Sequence, residues 1–394
     1  MSRLDRLDQE LPELIELRRH LHAHPELSGE EHQTAALVAG ELRTAGWRVQ
    51  EGVGRTGVLA ERGPEDGPTV GLRVDMDALP VEERTGLPHA SIRQGVMHAC
   101  GHDLHTCIGL GVARLLGEGA QLPCRVRLLF QPAEETGTGA AAVLNDPVFD
   151  RFAPDFAVAI HNMPGFPMHA MVVKSGSITA AVRSVVVRFT GRVAHASEPE
   201  KGENPSFAVA DLLRDANTLV VADQHDPHFR LVTPVHVSVG SVAYGVAAGD
   251  GEVHFTIRSA SNEGLSNLQA EITAIAEQLA VRDGLAVEID VVEDFYANIN
   301  DPEVTERVRR AAETCGLEII TPDVGMRAGE DFGLFTERFP CCLVLLGAGE
   351  DHLPIHNAAY DFPDELIATG VELFEQIVRD AEGNFEPTLR SHVS

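Results

Sequence analysis

Arg125-Val126-Arg127-Leu128-Leu129-Phe130-Gln131-Pro132-Ala133-Glu134-Glu135 opens as a β-prone strand and ends by delivering two adjacent carboxylates into a loop. Other parts of the chain repeat the plan. Thr69–Val74 runs into Asp75-Met76-Asp77, Phe156–Ile160 runs into His161-Asn162, and Cys341–Leu346 precedes the loop Leu353-Pro354-Ile355-His356-Asn357. Between and around these runs lie segments with helical spacing: residues 4–24, closed by Pro25, then a helix from a Ser28-Gly29-Glu30-Glu31 cap to Ala45-Gly46, then Gly101–Leu116, Gly139–Leu144, Glu303–Cys315 and Asp364–Ala381. Strands alternating with helices predict an α/β layer fold with a mostly parallel sheet.

The character changes between residues 181 and 293. Val182–Phe189, Ser206–Val221, Val232–Val239, Glu252–Arg258, Leu265–Arg282 and Ala286–Val292 read in order as β-α-β-β-α-β. That order is ferredoxin-like, and the stretch has the size of a domain. Strand–helix alternation resumes afterwards, so 181–293 is expected to be an inserted α+β domain. Residues 1–180 and 294–394 would form one discontinuous catalytic domain.

Bulk properties narrow the function. A chain of 394 residues predicts two or three domains, and 44% hydrophobic with 23% charged residues is ordinary globular composition. With 31 basic against 60 acidic residues the net charge is −29, which argues against nucleic acid or an anionic membrane surface as partner. No apolar run approaches the ~20 residues of a membrane helix. The start, Met1-Ser2-Arg3-Leu4-Asp5, shows no signal-type apolar region, so a cytoplasmic location is expected. Cys100, Cys107, Cys124, Cys315, Cys341 and Cys342 have no CxxC spacing and do not read as a disulfide framework.

Chemistry concentrates first in Met97-His98-Ala99-Cys100-Gly101-His102-Asp103-Leu104-His105-Thr106, which combines thiol, imidazole and carboxylate, the ligands of a borderline-soft divalent metal. In open α/β sheets sites form beyond the carboxyl ends of the strands. On that rule Asp75, Asp77, Glu134, Glu135, His161 and His356 reach one rim, where Cys100 and His102 open a helix packed on the sheet. Adjacent residues leaving a strand point in different directions, so one carboxylate of the Glu134-Glu135 pair can bind metal while the other acts as a base. Two metals about 3.5–4 Å apart, or one with an open position, would generate hydroxide near neutral pH. The reaction class implied is metal-assisted hydrolysis of an amide.

Arg73–Pro80, Met97–Thr106, Pro132–Glu135, His161-Asn162-Met163-Pro164, Ala194-His195-Ala196, Glu330-Asp331-Phe332 and His356-Asn357 occur in this order. Together they resemble the M20 metallopeptidases, in the amidohydrolase branch of hippurate hydrolases, aminoacylases and indoleacetyl-amino-acid hydrolases. The resemblance spans nearly the whole chain. It implies a two-metal catalytic domain with an inserted lid and dimerisation domain. It also implies Cys100, His102, Glu135, His161 and His356 as metal ligands, and Glu134 as general base and later acid. By the same likeness Asp77, or else Asp75, orients a ligand, and His195 reaches a partner subunit's site to steady the oxyanion. Arg258 is a candidate for gripping a substrate carboxylate. Cysteine and histidine ligands favour zinc; manganese, cobalt and nickel are the alternatives. A homodimer, or a higher homo-oligomer, follows if His195 acts in trans.

Two departures fall on the substrate side. Gly245-Val246-Ala247-Ala248 stands where the family usually has Asn-Val-Ile-Pro, and Pro199-Glu200 replaces a common Pro-His; Glu200 would disfavour an anionic group nearby.

Taken singly, many of these residues have plainer readings. Cys100 would be a core cysteine, Asp75 and Asp77 loop caps, Glu134 and Glu135 a solvated strand end, and His195 a loop histidine. His98 reads as structural, His105 and Asp103 as supporting residues, Met76 and Phe332 as packing, and Cys341-Cys342 as buried strand. His225, His228 and His236, lacking carboxylate company in the sequence, read as solvated surface. The combined pattern reverses the plainer readings for the ligand set and Glu134. The expectation is a metal-dependent amidohydrolase of N-acyl amino acids or similar small amides. A dipeptidase or carboxypeptidase on the same scaffold, a catalytically silent binding protein, and a cysteine hydrolase using Cys100 are the alternatives.

Overall fold

The structure, a computed structural model, describes residues 3–150 and 153–381; Met1 and Ser2 lie outside the described residues. The described residues split into two compact units: those within 1–178, 298–323 and 331–381 form the first, and those within 179–297 and 324–330 the second.

The first unit is built on an eight-stranded sheet. Its strands are β1 (Arg48–Val53), β2 (Gly57–Arg62), β3 (Thr69–Asp75), β4 (Arg125–Gln131), β5 (Phe156–Met163), β6 (Met171–Val172), β7 (Ile319–Ile320) and β8 (Cys341–Gly347), in the spatial order β1-β2-β4-β3-β5-β8-β6-β7. The four central strands β4, β3, β5 and β8 are mutually parallel, while β2 and β6 run antiparallel to their central neighbours. Every residue of β3, β5 and β8 is buried, as a sheet covered on both faces requires. Val70, Leu72, Val74, Val126, Leu128, Phe130, Val158, Ile160, Val344 and Leu346 join the main core with Leu14, Ile108, Val308 and Phe374 of the helices. Residues of opposite parity, among them Leu59, Gly71, Leu129 and Ala157, face Phe149, Phe332 and Phe335. All four central strands end at one edge, so the loops after them open there.

The helix after Pro25 departs from expectation. It spans His32–Thr44, and Glu31 at its N-cap position makes no side-chain cap bond. Glu26 does that work instead, accepting the Gln33 and Thr34 N–H groups at 2.9 Å each. Ser28 and Glu31 therefore do not form the capping box that their spacing suggests.

The second unit has a four-stranded antiparallel sheet in the order Arg230–Val239, Asp250–Ser259, Ala181–Thr190, Ala286–Phe295. Helix Ser206–Asn217 connects Ala181–Thr190 to Arg230–Val239 and helix Asn262–Asp283 connects Asp250–Ser259 to Ala286–Phe295, which is the ferredoxin-like arrangement. Pro234 sits on the edge strand, where its missing N–H costs no ladder bond. The unit also takes in Val324–Glu330, a stretch that the sequence reading assigned to the other domain. The Ala180 N–H donates to the Met326 carbonyl at 2.9 Å, and Arg258 Nε to the Arg327 carbonyl at 2.9 Å. Among the described residues no helix is long and apolar enough to cross a membrane.

Candidate metal centre

Five segments of the first unit meet where the central strands end. Cys100 and His102 flank Gly101, whose φ is 96°. A Cβ on Gly101 would lie 2.3 Å from Asn162 Nδ2 and 2.6 Å from the Phe362 ring, so only glycine lets the start of the His102–Leu115 helix approach so closely. Asn162 Nδ2 donates to the Cys100 carbonyl at 2.7 Å, and the Tyr360 hydroxyl donates to Asn162 Oδ1 at 3.2 Å. His356, at φ 64°, is tied through its N–H to the Ala99 carbonyl at 2.7 Å.

The side chains converge. Cys100 Sγ lies 3.4 Å from His161 Nε2 and 3.3 Å from His356 Nε2. Glu135 presents Oε2 at 3.5 Å from His356 Nε2 and Oε1 at 3.8 Å from His102 Nε2. Cys100, His102 and His161 offer ligand atoms within 4.8 Å of one another; so do Cys100, Glu135 and His356, and again His102, Glu134 and Glu135. His102 Nδ1 is bonded to Asp77 Oδ1 at 3.0 Å, which aims Nε2 into the cluster. Both His102 Nε2 and Glu135 Oε1 are buried without a hydrogen-bond partner. Two such atoms facing each other are costly unless a shared electrophile lies between them. The donor set of thiol, imidazole and carboxylate suits a divalent metal there.

Electrostatics point the same way. Burial, together with Glu135 and Glu134, pushes the Cys100 thiol well above its usual range. Burial carries the Glu135 carboxyl up to about 7. Burial and the nearby His105 hold His161 down to about 3, which keeps its imidazole neutral. Burial opposes charge on His102, but Asp75 and Asp77 outweigh it and raise its pKa to about 10. A cation among these groups would favour the thiolate and carboxylate forms and displace the His102 proton.

Asp75 and Asp77 have separate partners. Asp77 accepts from His102, from the Ser28 hydroxyl at 2.7 Å and from the Glu135 N–H at 3.0 Å. Asp75 bonds His105 Nδ1 at 2.6 Å, and His105 Nε2 accepts the Asn162 N–H at 3.0 Å. Asp103 turns away from the cluster to the first helix, where it meets Arg18 Nε at 3.0 Å and His22 Nδ1 at 2.8 Å. His98 is buried with neither ring nitrogen hydrogen-bonded, and burial pushes its pKa down to about 4.

Glu134 and Glu135 do not continue the strand. They sit in a turn after Ala133, whose φ is 53°, and both reach towards His102 rather than to opposite sides. Asp331 donates its N–H to Glu134 Oε1 at 3.2 Å. Its carboxylate receives Arg73 at 3.0 Å, Gln131 Nε2 at 2.8 Å and the Ala140 N–H at 2.8 Å. Arg73 also bonds Asp75 Oδ2 at 2.6 Å. The sequence reading missed Arg73, Gln131, Asn162 and Tyr360 in these roles. One signal was available for Arg73: an arginine inside an otherwise apolar strand must find anions.

His195 and Arg258 belong to the second unit. His195 is exposed on a two-residue strand paired with Val246–Ala247, and its Nδ1 accepts the Ser197 N–H at 3.2 Å. Arg258 is half-buried, with Nε on the Arg327 carbonyl. Glu200 is exposed in a short helical turn, Pro199–Lys201. His236 has a carboxylate neighbour after all, Glu252 at 3.5 Å, which lies diagonally across on the paired strand, two residues from the His254 that faces His236.

The profile of peptidase family M20/M25/M40 matches residues 71–380. N-acetyl-L-cysteine deacetylase of Bacillus subtilis is 34% identical over 380 residues, which are 96% of this chain and 90% of that protein. Thermostable carboxypeptidase 1 of Saccharolobus solfataricus is 34% identical over 91% of this chain and 92% of its own. Among solved structures, a dinuclear metal-binding peptidase of the M20 family from Bacillus subtilis superposes with a TM-score of 0.80 at 28% identity, over 94% of this chain and 98% of that one.

Proposed function

This chain belongs to peptidase family M20/M25/M40 and is a metal-dependent amidohydrolase; from that premise we propose that it cleaves the amide of N-acyl amino acids, with Cys100, His102, Glu135, His161 and His356 holding two divalent cations and Glu134 as general base. The observation that carries the reading is the buried, unbonded pair His102 Nε2 and Glu135 Oε1, 3.8 Å apart beside Glu134. Bound cations supply Lewis-acid polarisation of the carbonyl and a lowered pKa for attacking water.

The chain's own residues do the rest. Asp77 fixes the tautomer and aim of His102. The Asp331 N–H fixes one oxygen of Glu134. Glu134 takes a proton from water as the water oxygen bonds the carbonyl carbon, then returns that proton to nitrogen as the C–N bond breaks; the acid's remaining proton passes to the freed amine, giving a carboxylate and an ammonium group. In this reading the second unit is a lid and dimerisation domain. His195 from a second copy steadies the oxyanion, and Arg258 receives the substrate carboxylate. Zinc is the metal that the donor set favours. None of the six cysteines is in a disulfide, in keeping with a reducing, cytoplasmic location.

A carboxypeptidase cuts the same linkage with a peptide as the acyl group, so the two relatives differ in acyl size rather than in bond chemistry. Assays of N-acetyl and N-benzoyl amino acids against dipeptides decide acyl size. Glu134→Gln decides the mechanism: it should retain the parent's metal content and lose turnover, and a fully active variant refutes the base assignment.

A further inference from the structure

Ala133 holds a left-handed φ of 53°, a conformation that an L residue with a Cβ adopts only when its surroundings impose it. The restraint comes from far away in the sequence. The Ala133 N–H donates to Glu31 Oε1 at 2.9 Å, and the Ala133 carbonyl accepts the Gly139 N–H at 3.0 Å. Glu31 is fully buried. Its Oε1 also receives the Gly29 N–H at 2.8 Å, and its Oε2 the Thr56 hydroxyl at 2.5 Å. It occupies a helix N-cap position without capping that helix, because Glu26 has taken over the task. A buried carboxylate is expensive, and this one is directed at a turn instead of its own helix.

We propose that Glu31 is a positioning residue for the hydrolysis: it locks Ala133 in the left-handed conformation that sends Glu134 and Glu135 towards His102. The inference rests on the reading of Glu134 as general base. If Ala133 relaxed to an extended or right-handed conformation, the peptide leading into Glu134 would rotate and both carboxylates would swing off the cluster. Ser28, three residues before Glu31, secures the other side, since Asp77 Oδ2 accepts both its hydroxyl and the Glu135 N–H. One segment, Glu26 to Glu31, thus holds the corner from two directions.

The test uses metal-loaded full-length protein and one N-acyl amino acid substrate, with kcat, KM, metal content and backbone amide exchange over residues 131–139 as readouts. Glu31→Ala should lower kcat by about 10- to 100-fold, the loss expected of a misplaced catalytic group. KM and metal content should stay at parental values, and exchange in the turn should rise. Glu31→Gln keeps an acceptor for the Ala133 N–H and should stay close to the parent. Adding Ala133→Gly to Glu31→Ala should restore part of kcat, because glycine holds that φ without strain. If Glu31→Ala fails to fold, Thr56→Val, which removes one of the bonds holding Glu31, should lower kcat by several-fold at unchanged KM. Parental kcat and exchange in Glu31→Ala, or in Thr56→Val where Glu31→Ala does not fold, would overturn the proposal. So would a Glu31→Gln as impaired as Glu31→Ala, or a kcat loss that tracks loss of metal. Glu134→Gln run alongside separates the two ideas. Its retained turnover would sink the base assignment, while amide exchange at the turn would still decide whether Glu31 holds it.

Discussion

Replacing Asp77 with asparagine probes how the metal centre is built, because the change keeps shape and removes one acceptor. Asp77 is buried and receives three donors: His102 Nδ1 at 3.0 Å, the Ser28 hydroxyl at 2.7 Å and the Glu135 N–H at 3.0 Å. An asparagine amide nitrogen cannot accept. Placed at Oδ1 it leaves His102 without an acceptor and frees its tautomer; placed at Oδ2 it confronts the Glu135 N–H. At least one charge-assisted bond is lost either way, a cost of about 1.5–3 kcal/mol. Part of that loss falls on metal binding, since an imidazole that can flip must be reoriented to ligate. A 10- to 100-fold weaker metal affinity, or about 1.4–2.7 kcal/mol, is therefore expected. Competition with a chromophoric chelator, on folded Asp77→Asn and parent protein at one pH, measures it. Unchanged affinity would refute the idea that Asp77 orients His102, and so would lost turnover at full metal affinity.

Two further outcomes test the surroundings. Burial opposes charge on His22, but its hydrogen bond to Asp103 outweighs this and lifts its pKa from 6.5 to about 9. A pKa raised by folding adds stability that is complete below the unfolded value and is lost as pH rises through the folded one. The unfolding free energy should therefore fall by about 3 kcal/mol between pH 6.5 and 9, a slope that denaturant melts should find missing in His22→Gln. For His195, mixing inactive Glu134→Gln and His195→Ala subunits should regain activity if the histidine serves a neighbouring copy; no recovery from mixtures shown to exchange subunits would remove it from that role.

The layer order of the first unit was legible because each central strand carries its own apolar run and each run leads into a loop that bears a ligand type. The ferredoxin-like unit was legible for a similar reason, its six elements being cleanly separated. What remained hidden depends on contacts between distant residues. Ser28 and Glu31 match a capping box by spacing, yet Glu26 caps the helix and frees both side chains for Asp77 and Ala133. The Glu134-Glu135 pair reads as the end of a strand, and only the left-handed Ala133 turns both carboxylates to one side. Asp331 stands out within a motif, but its grip on Glu134 depends on Arg73 and Gln131, far off in sequence. Val324–Glu330 joins the second unit through backbone bonds such as that from Ala180 to Met326, which no side-chain pattern announces.

Metal stoichiometry against turnover tests the central claim most directly. Protein stripped by exhaustive chelation should hydrolyse no N-acyl amino acid, and activity should return on titration with zinc or manganese to a plateau at two equivalents per subunit. Hydrolysis that persists in protein shown by elemental analysis to be metal-free would contradict it and turn attention to Cys100 as a nucleophile.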